Sequence, residues 1–453
     1  VGKRKVNFEC LECGFRSPGW LGKCPECSTW GSVREVPREP PGGKSGSYRR
    51  KENRPSLLSS ISSEGKGRRE TGVGEFDRVL GGGLVVGTTV LVAGDPGIGK
   101  STLLLQVCAS LAGKGERVLY VSGEESERQI KMRAGRLEIE GDEIYFMSET
   151  SVESIISGME EVEPTIAVID SIQTISYEGL PGVPGSVSQV RESSAHLNQF
   201  AKEKGISLLL VGHVTKEGSI AGPRLLEHMV DVVLHFEGEK GHPFRIVKGV
   251  KNRFGSVSEI GIFEMTAGGL QEVPDPSGIF SGSSMEPVPG MVVYPSLSGS
   301  RTVMVEVQAL VARSFLPVPR RVVVGLDPAR SQILSTILEK QCSVKLFNSD
   351  LYLNVAGGLK IQDTGADLAI VVAILSGVVD KPVPREMTAF GEVGLGGEVR
   401  PVQLERQRIA ESVRMGFKRI LLPAKSADIC SPAGKEVELV AVSGVKGLKS
   451  LIS

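Results

Sequence analysis

The stretch TTVLVAGDPGIGKSTLLLQV, residues 88–107, decides the fold of the middle of this chain. It opens as a β-branched apolar run and closes as an apolar helix, with a glycine-rich loop between. That loop, Gly94, Asp95, Pro96, Gly97, Ile98, Gly99, Lys100 and Ser101, matches G-x-x-x-x-G-K-[ST] in the strand–loop–helix setting the motif requires. Backbone N–H groups and the helix start cradle phosphates there. Lys100 reaches the β/γ oxygens, Ser101 takes Mg²⁺, and Thr102 ends the phosphate-binding run. ATP and Mg²⁺ are the expected cofactors, although such a loop does not read the base. Cys108, on the same helix at core spacing, is read as packing.

Outward from this loop the pattern repeats. RVLYVSG (117–123), TIAVIDS (165–171) and ISLLLVG (206–212) are short β-branched runs separated by helical lengths, the signature of a mostly parallel sheet covered by helices. TIAVIDS brings Asp170 to a strand end, where a carboxylate holds Mg²⁺ through water. YVSGEES offers Glu124 and Glu125 to orient an attacking water. Salt bridging and helix capping compete for both, and capping suits Glu125 better, so Glu124 is the candidate. Further on, VKGVKNRFG (247–255) puts Lys251 and Arg253 on one face of a strand end. By itself that pair is either a solvated edge or a functional cation site.

At 453 residues the chain needs more than one domain. Residues 37–55 have the Pro, Gly and charge content of a linker, with a reach of roughly 22–26 Å if flexible. Residues 273–290 form a second break. The expected division is a cysteine module at 1–36, an α/β core at 56–272 and another α/β unit at 291–453. Lys and Arg balance Asp and Glu at 53 each, so overall charge points to no polyanionic partner. The first 70 residues differ, with 15 Lys or Arg against 8 Glu and no Asp, which fits either a nucleic-acid-binding arm or a solvated tail. No apolar run is long enough to span a bilayer, and the basic N-terminus has no apolar stretch behind it to make a secretion signal. Seven cysteines, four of them in two tight pairs, suit a reducing cytoplasm.

Those pairs are CLEC (10–13) and CPEC (24–27), a C-x2-C-x10-C-x2-C spacing. Cys10, Cys13, Cys24 and Cys27 can form two knuckles on one tetrahedral Zn²⁺, and metal binding would supply the folding energy that so small a core lacks. A redox dithiol is the competitor, and two matched pairs argue against it. Trp20 and Trp30, the only tryptophans, are read as packing against the knuckles, with base stacking as the lesser alternative.

Taken together, GDPGIGKST, YVSGEES, AVIDS, VGHVTKEGSIAGPRLLEHMVD, KNRFG and the cysteine module with GWLGKCPEC resemble the bacterial RadA (Sms) family over essentially the whole chain. The resemblance implies a RecA-like ATPase of DNA recombination and repair, assembled as a ring, a hexamer in the family, with ATP at subunit interfaces. Lys251 and Arg253 of KNRFG would then act in trans on a neighbour's γ-phosphate. The loops at 176–192 and 215–224 would correspond to mobile DNA-binding loops, with Lys216 and Arg224 as phosphate contacts and His213 as a nucleotide sensor.

The C-terminal unit resembles the proteolytic domain of Lon. Matching Asp363 in QDTGADLAIVVAIL (362–375) puts Ala366 where Lon has its serine, and GEVGLGGEVRPVQLERQ (391–407) puts Glu405 where Lon has its lysine. Alanine has no hydroxyl and a carboxylate cannot replace the lysine base, so no protease is expected. Ser376 lies deep in the apolar helix without a base. In RadA-type proteins this domain is associated with hexamer assembly and DNA contact. The expected whole is an α/β protein: a RecA-like P-loop ATPase core between a small zinc-knuckle module and a Lon-protease-like domain. Its function would be ATP-driven movement on single-stranded DNA and branch migration of recombination intermediates alongside RecA. The alternatives are an ATP-gated DNA-binding scaffold and, from another enzyme class, an ATP-dependent protease.

Overall fold

The computed structural model describes residues 7–10, 15–26, 29–36, 67–140, 143–213, 225–238, 243–257, 259–280, 287–299, 301–427 and 437–449. The chain divides into two compact units. One comprises Val1–Glu237, Val247–Val257 and Met265–Gln271; the other comprises Gly238–Ile246, Ser258–Glu264 and Glu272–Ser453. Among the described residues no helix is long and apolar enough to cross a membrane.

The first unit begins with a three-stranded antiparallel sheet of β1 (Asn7–Cys10), β2 (Arg16–Ser17) and β3 (Val33–Val36), in the order β2-β1-β3. Next, β4 (Arg68–Arg69) and β5 (Leu84–Val85) pair across α1 (Gly74–Leu80). The main sheet is then built from β6 (Thr89–Gly94), α2 (Lys100–Gly113), β7 (Val118–Ser122), α3 (Glu127–Arg136), β8 (Ile144–Ser148), α4 (Val152–Val162), β9 (Ile166–Asp170), α5 (Val187–Lys204), β10 (Ser207–His213), α6 (Leu225–Met229) and β11 (Val232–Glu237). These strands stand in the order β11-β6-β10-β9-β7-β8, each parallel to its neighbour. Every residue of β6, β7 and β9 is buried, which is why they read as continuous apolar runs rather than alternating ones. Beyond β11 the sheet continues through β12 (Phe244–Asn252), β13 (Ile260–Thr266) and β14 (Gly269–Glu272).

In the second unit, α7 (Ser277–Phe280) precedes a seven-stranded sheet. Its elements are β15 (Met291–Ser298), β16 (Arg301–Arg313), β17 (Arg321–Val324), α8 (Pro328–Cys342), β18 (Ser349–Val355), α9 (Asp367–Val379), β19 (Met387–Ala389), the ribbon β20 (Glu392–Val393) and β21 (Val399–Arg400), α10 (Glu405–Arg414), β22 (Arg419–Pro423), α11 (Ala424–Ala427) and β23 (Glu438–Val442). The sheet order is β17-β18-β16-β15-β19-β22-β23. The apolar helix that holds Ser376 begins at Asp367, because Asp363 caps a 3₁₀ turn at Thr364–Ala366 that leads into it. From Asp367 to Ser376 every side chain of α9 is buried, so its hydrophobicity reflects a core helix covered all round.

Candidate nucleotide site and zinc module

The phosphate loop lies between β6 and α2. Gly94 pairs with Phe236 of β11, and a Cβ at Gly94 would come within 2.7 Å of the Phe236 carbonyl oxygen. Gly99, the residue before α2, has φ +118°, open only to glycine without strain. Lys100 is buried, and its Nζ donates to the carbonyls of Gly94 (2.7 Å) and Asp95 (2.8 Å). Burial lowers its pKa to about 8, against the opposing pull of the Asp170, Asp95 and Glu124 charges.

Three strand ends converge on this lysine. His213, the last residue of β10, has Nδ1 3.3 Å from Lys100 Nζ and Nε2 3.3 Å from Glu124 Oε1. An ammonium only donates, so Nδ1 accepts and Nε2 carries the hydrogen toward Glu124. Ser171 Oγ donates to the same Glu124 oxygen. Burial pushes the Glu124 carboxyl up, but the hydrogen bonds from Ser171 and His213 and the Lys100 charge outweigh it and leave it below its usual value. A carboxylate held below its usual value is a weak base, which suits orienting a water better than stripping it of a proton. Glu125 turns away to pair with Arg133, and Ser126 with Gln129 forms the capping box of α3. The capping role expected of Glu125 therefore belongs to its neighbour, because the strand-to-helix turn ends one residue later.

Asp170 ends β9, nearly buried, and Oδ2 accepts a 2.6 Å hydrogen bond from Tyr120. Tyr120, wholly buried in β7, was not a sequence candidate. In the sequence it looks like any aromatic residue of a strand, and only the parallel register of Ser122 opposite Asp170 brings its hydroxyl within reach. Burial raises the Tyr120 phenol far above its ordinary value, so it stays a donor. One Asp170 oxygen is thereby fixed while the other remains for a metal-bound water, and Ser101 opens the facing helix; these residues fit Mg²⁺. Bound there, the ion would neutralise phosphate charge.

Lys251 and Arg253 sit elsewhere. Lys251 Nζ donates to the carbonyls of Glu227 (2.6 Å) and Val230 (2.7 Å), just where α6 runs into β11. Arg253, one residue past β12, lies 3.3 Å from Asp231. Asp231 is buried and also accepts from the Thr89 N–H. The cation pair is thus anchored beside Thr89, at the start of β6, whereas the phosphate loop follows Gly94 at its other end. Five residues of strand separate the two, roughly 16 Å. The acidic partner invisible beside KNRFG comes from 22 residues upstream. Lys216 and Arg224 fall outside the described residues.

In the cysteine module the same backbone hydrogen bond recurs at the first cysteine of each pair. The Cys10 N–H donates to Phe15 O (2.9 Å) and the Cys24 N–H to Thr29 O (3.0 Å). Both thiols are buried, with Val33 as core and Phe8, Phe15 and Leu21 against it. Two like hydrogen bonds, each at a buried thiol, fit a zinc knuckle pair; Cys13 and Cys27 lie outside the described residues. Trp20 and Trp30 are not in this core: they are 65% and 75% exposed. The expectation that they are buried against the knuckles fails: among the described residues the module's buried core is Cys10, Cys24 and Val33, and neither indole joins it.

Family models agree with this layout. One described as a rubredoxin metal binding domain matches residues 8–35, one described as an AAA domain matches 75–219, and one described as subunit ChlI of Mg-chelatase matches 319–426. The chain is 47% identical over 449 residues to a DNA repair protein RadA of Bacillus subtilis, covering 98% of each. It is 47% identical over 439 residues to one of Pseudomonas aeruginosa, covering 96% of this chain and 97% of that one. This chain belongs to the RadA family. Among solved structures, a KaiC-like protein of Pyrococcus horikoshii is similar at 24% identity and a TM-score of 0.40, over 46% of this chain and all of that one.

In the Lon-like domain of this RadA-family chain, the positions matched to a protease serve the fold. Ala366 is buried at the end of its 3₁₀ turn. Glu405 accepts from the Val402 N–H (3.0 Å) and Ser426 Oγ (2.7 Å). Ser376 Oγ accepts from the Gly290 N–H (2.8 Å) and donates to Lys381 O (2.5 Å), so it is committed on both sides. Asp363 instead joins the wholly buried Arg408, whose guanidinium also donates to Tyr294 Oη (2.7 Å) and Pro295 O (2.6 Å).

Proposed function

We propose that this chain is an oligomeric, DNA-dependent ATPase that moves along single-stranded DNA and drives branch migration of recombination intermediates. The observation that carries the reading is the separation between the cation pair and the phosphate loop of the same subunit. Lys251 and Arg253 are docked at the opposite end of β6 from Lys100, too far to touch a γ-phosphate held by their own loop. A ring that sets one subunit's β12 end against the next subunit's loop gives them a target, and a trans cation of this kind raises hydrolysis by about 10³–10⁵.

In this reading ATP binds along Gly94–Thr102 with Lys100 on its phosphates, and Ser101 and Asp170 hold Mg²⁺. Glu124 positions the water. The Lys100–His213–Glu124 contacts join the site to the segment that follows β10, where Lys216 and Arg224 would meet DNA phosphates. The segments are a zinc module at 1–36, a linker at 37–55, an ATPase core at 56–272, a second linker at 273–290 and an inactive Lon-like domain at 291–453. Cys10, Cys13, Cys24 and Cys27 hold Zn²⁺. The cysteine usage suits work in the cytoplasm, and branched DNA and the RecA recombinase are the partners that follow from the family. Steady-state ATP hydrolysis against protein concentration, with and without single-stranded DNA, tests the reading. Turnover per subunit should rise with concentration and with DNA; turnover indifferent to both would leave at most a nucleotide-gated scaffold.

A further inference from the structure

Both tryptophans of the protein stand on the surface of the zinc module, where large apolar side chains have no structural reason to be. They also stand together. A Cβ built on Gly22 would lie 3.5 Å from the Trp20 ring and 3.9 Å from the Trp30 ring, so the two indoles flank this one glycine. The backbone beneath them is fixed. Lys23 bridges Trp30 as an antiparallel pair, and the Gly31 N–H donates to Gly22 O at 2.8 Å. Lys23 carries its ammonium over the Trp30 ring, 5.8 Å from the centroid. The module thus presents two exposed indoles, a floor between them without a side chain, and a cation on one side of Trp30.

We infer that this is a single-stranded DNA site in which a base stacks on the Trp20 and Trp30 faces while Lys23 meets the adjoining phosphate. The inference rests on the proposed DNA-dependent function and assigns the module its part in it. Charge favours this occupant over an apolar protein surface: residues 1–36 carry six Lys or Arg against four Glu and no Asp, and the segment that follows to residue 70 adds nine more cations against four Glu. Aromatic platforms with cations at the rim hold unpaired bases without regard to sequence, as a translocating protein requires.

The full-length protein tests this directly, since its tryptophan emission comes from this module alone. Oligo(dT) should quench that emission, and an abasic oligonucleotide of equal length, with phosphates but no bases, should not. Trp30→Ala should weaken oligo(dT) binding about tenfold, and Trp30→Tyr should restore most of it. Gly22→Val, which keeps both indoles but fills the floor, should also weaken binding. Zinc content per subunit confirms that each variant retains its module. If labelled oligo(dT) binds the protein by anisotropy while emission stays unchanged, or if abasic DNA quenches equally, the stacking site is wrong though the DNA reading stands. If oligo(dT) does not bind at all, both fall together. Quenching by a protein partner but not by DNA would reassign the surface.

Discussion

Lys100 carries a prediction that needs no mutation. The phosphates it serves require its charge, yet burial lowers its pKa in the nucleotide-free protein from 10.5 to about 8. Bound phosphate holds the proton on, so the apparent dissociation constant scales with the protonated fraction of the free protein. Raising the pH from 7 to 9 takes that fraction from about nine-tenths to about one-tenth, and ATP affinity should fall about tenfold. A lysine titrating at 10.5 would change affinity by only about 3% over the same range. Near pH 8, binding should also take up about half a proton, readable by titration calorimetry in two buffers of different ionisation enthalpy. Stability has a matching sign. The unfolded lysine keeps its proton up to 10.5, so the nucleotide-free fold gains stability as pH rises from about 8 toward that value. Equal affinities at pH 7 and 9, with no proton uptake, would refute the claim that burial loosens this proton.

Three further outcomes follow from the packing. Tyr120→Phe keeps the ring and removes the hydroxyl that fixes Asp170, so the Mg²⁺ concentration needed for tight binding of a fluorescent nucleotide should rise about tenfold, with metal-free binding and the melting temperature nearly unchanged. Glu124→Ala, which removes the group that orients the water, should lower hydrolysis about 10²-fold or more while nucleotide binding persists; Glu125→Ala, which loses only the Arg133 pair, should stay within a few-fold of the parent in the same assay. Arg408→Met removes a wholly buried guanidinium, leaves Asp363 only Tyr294 Oη and the Gly365 N–H, and should destabilise the Lon-like domain by about 3 kcal/mol in urea titrations, whereas Asp275→Asn, at the exposed end of its pair with Arg414, should change stability by less than about 1 kcal/mol.

What the sequence makes legible is chemistry written contiguously. The phosphate loop needs glycines, lysine and serine in one string, and the parallel sheet announces itself in fully apolar strands such as TIAVIDS. Relations made across the sheet are silent. Tyr120 meets Asp170 only because β7 and β9 run parallel in register, and Asp231 meets Arg253 only because β11 and β12 are neighbours. Arg408 misleads in the other direction. It sits in the charged helix ERQRIAESVR and reads as solvent-facing, yet it is fully buried because Asp363, Tyr294 and two carbonyls satisfy its guanidinium. The tryptophans misled as well, since indoles are usually buried and neither of these joins the module's core.

Subunit mixing tests trans action most directly. Lys100→Ala abolishes a subunit's own phosphate site, and Lys251→Ala leaves that site intact while removing what it offers its neighbour, together with its own hydrogen bonds to the Glu227 and Val230 carbonyls. Each variant alone should hydrolyse ATP at a small fraction of the parental rate with single-stranded DNA present. Mixed at equal concentrations and allowed to exchange subunits, they should regain about a quarter of the parental rate, since an intact loop then abuts an intact cation pair at about one interface in four. A mixture no more active than the two variants measured separately would contradict the account: Lys251 would then serve its own subunit or none.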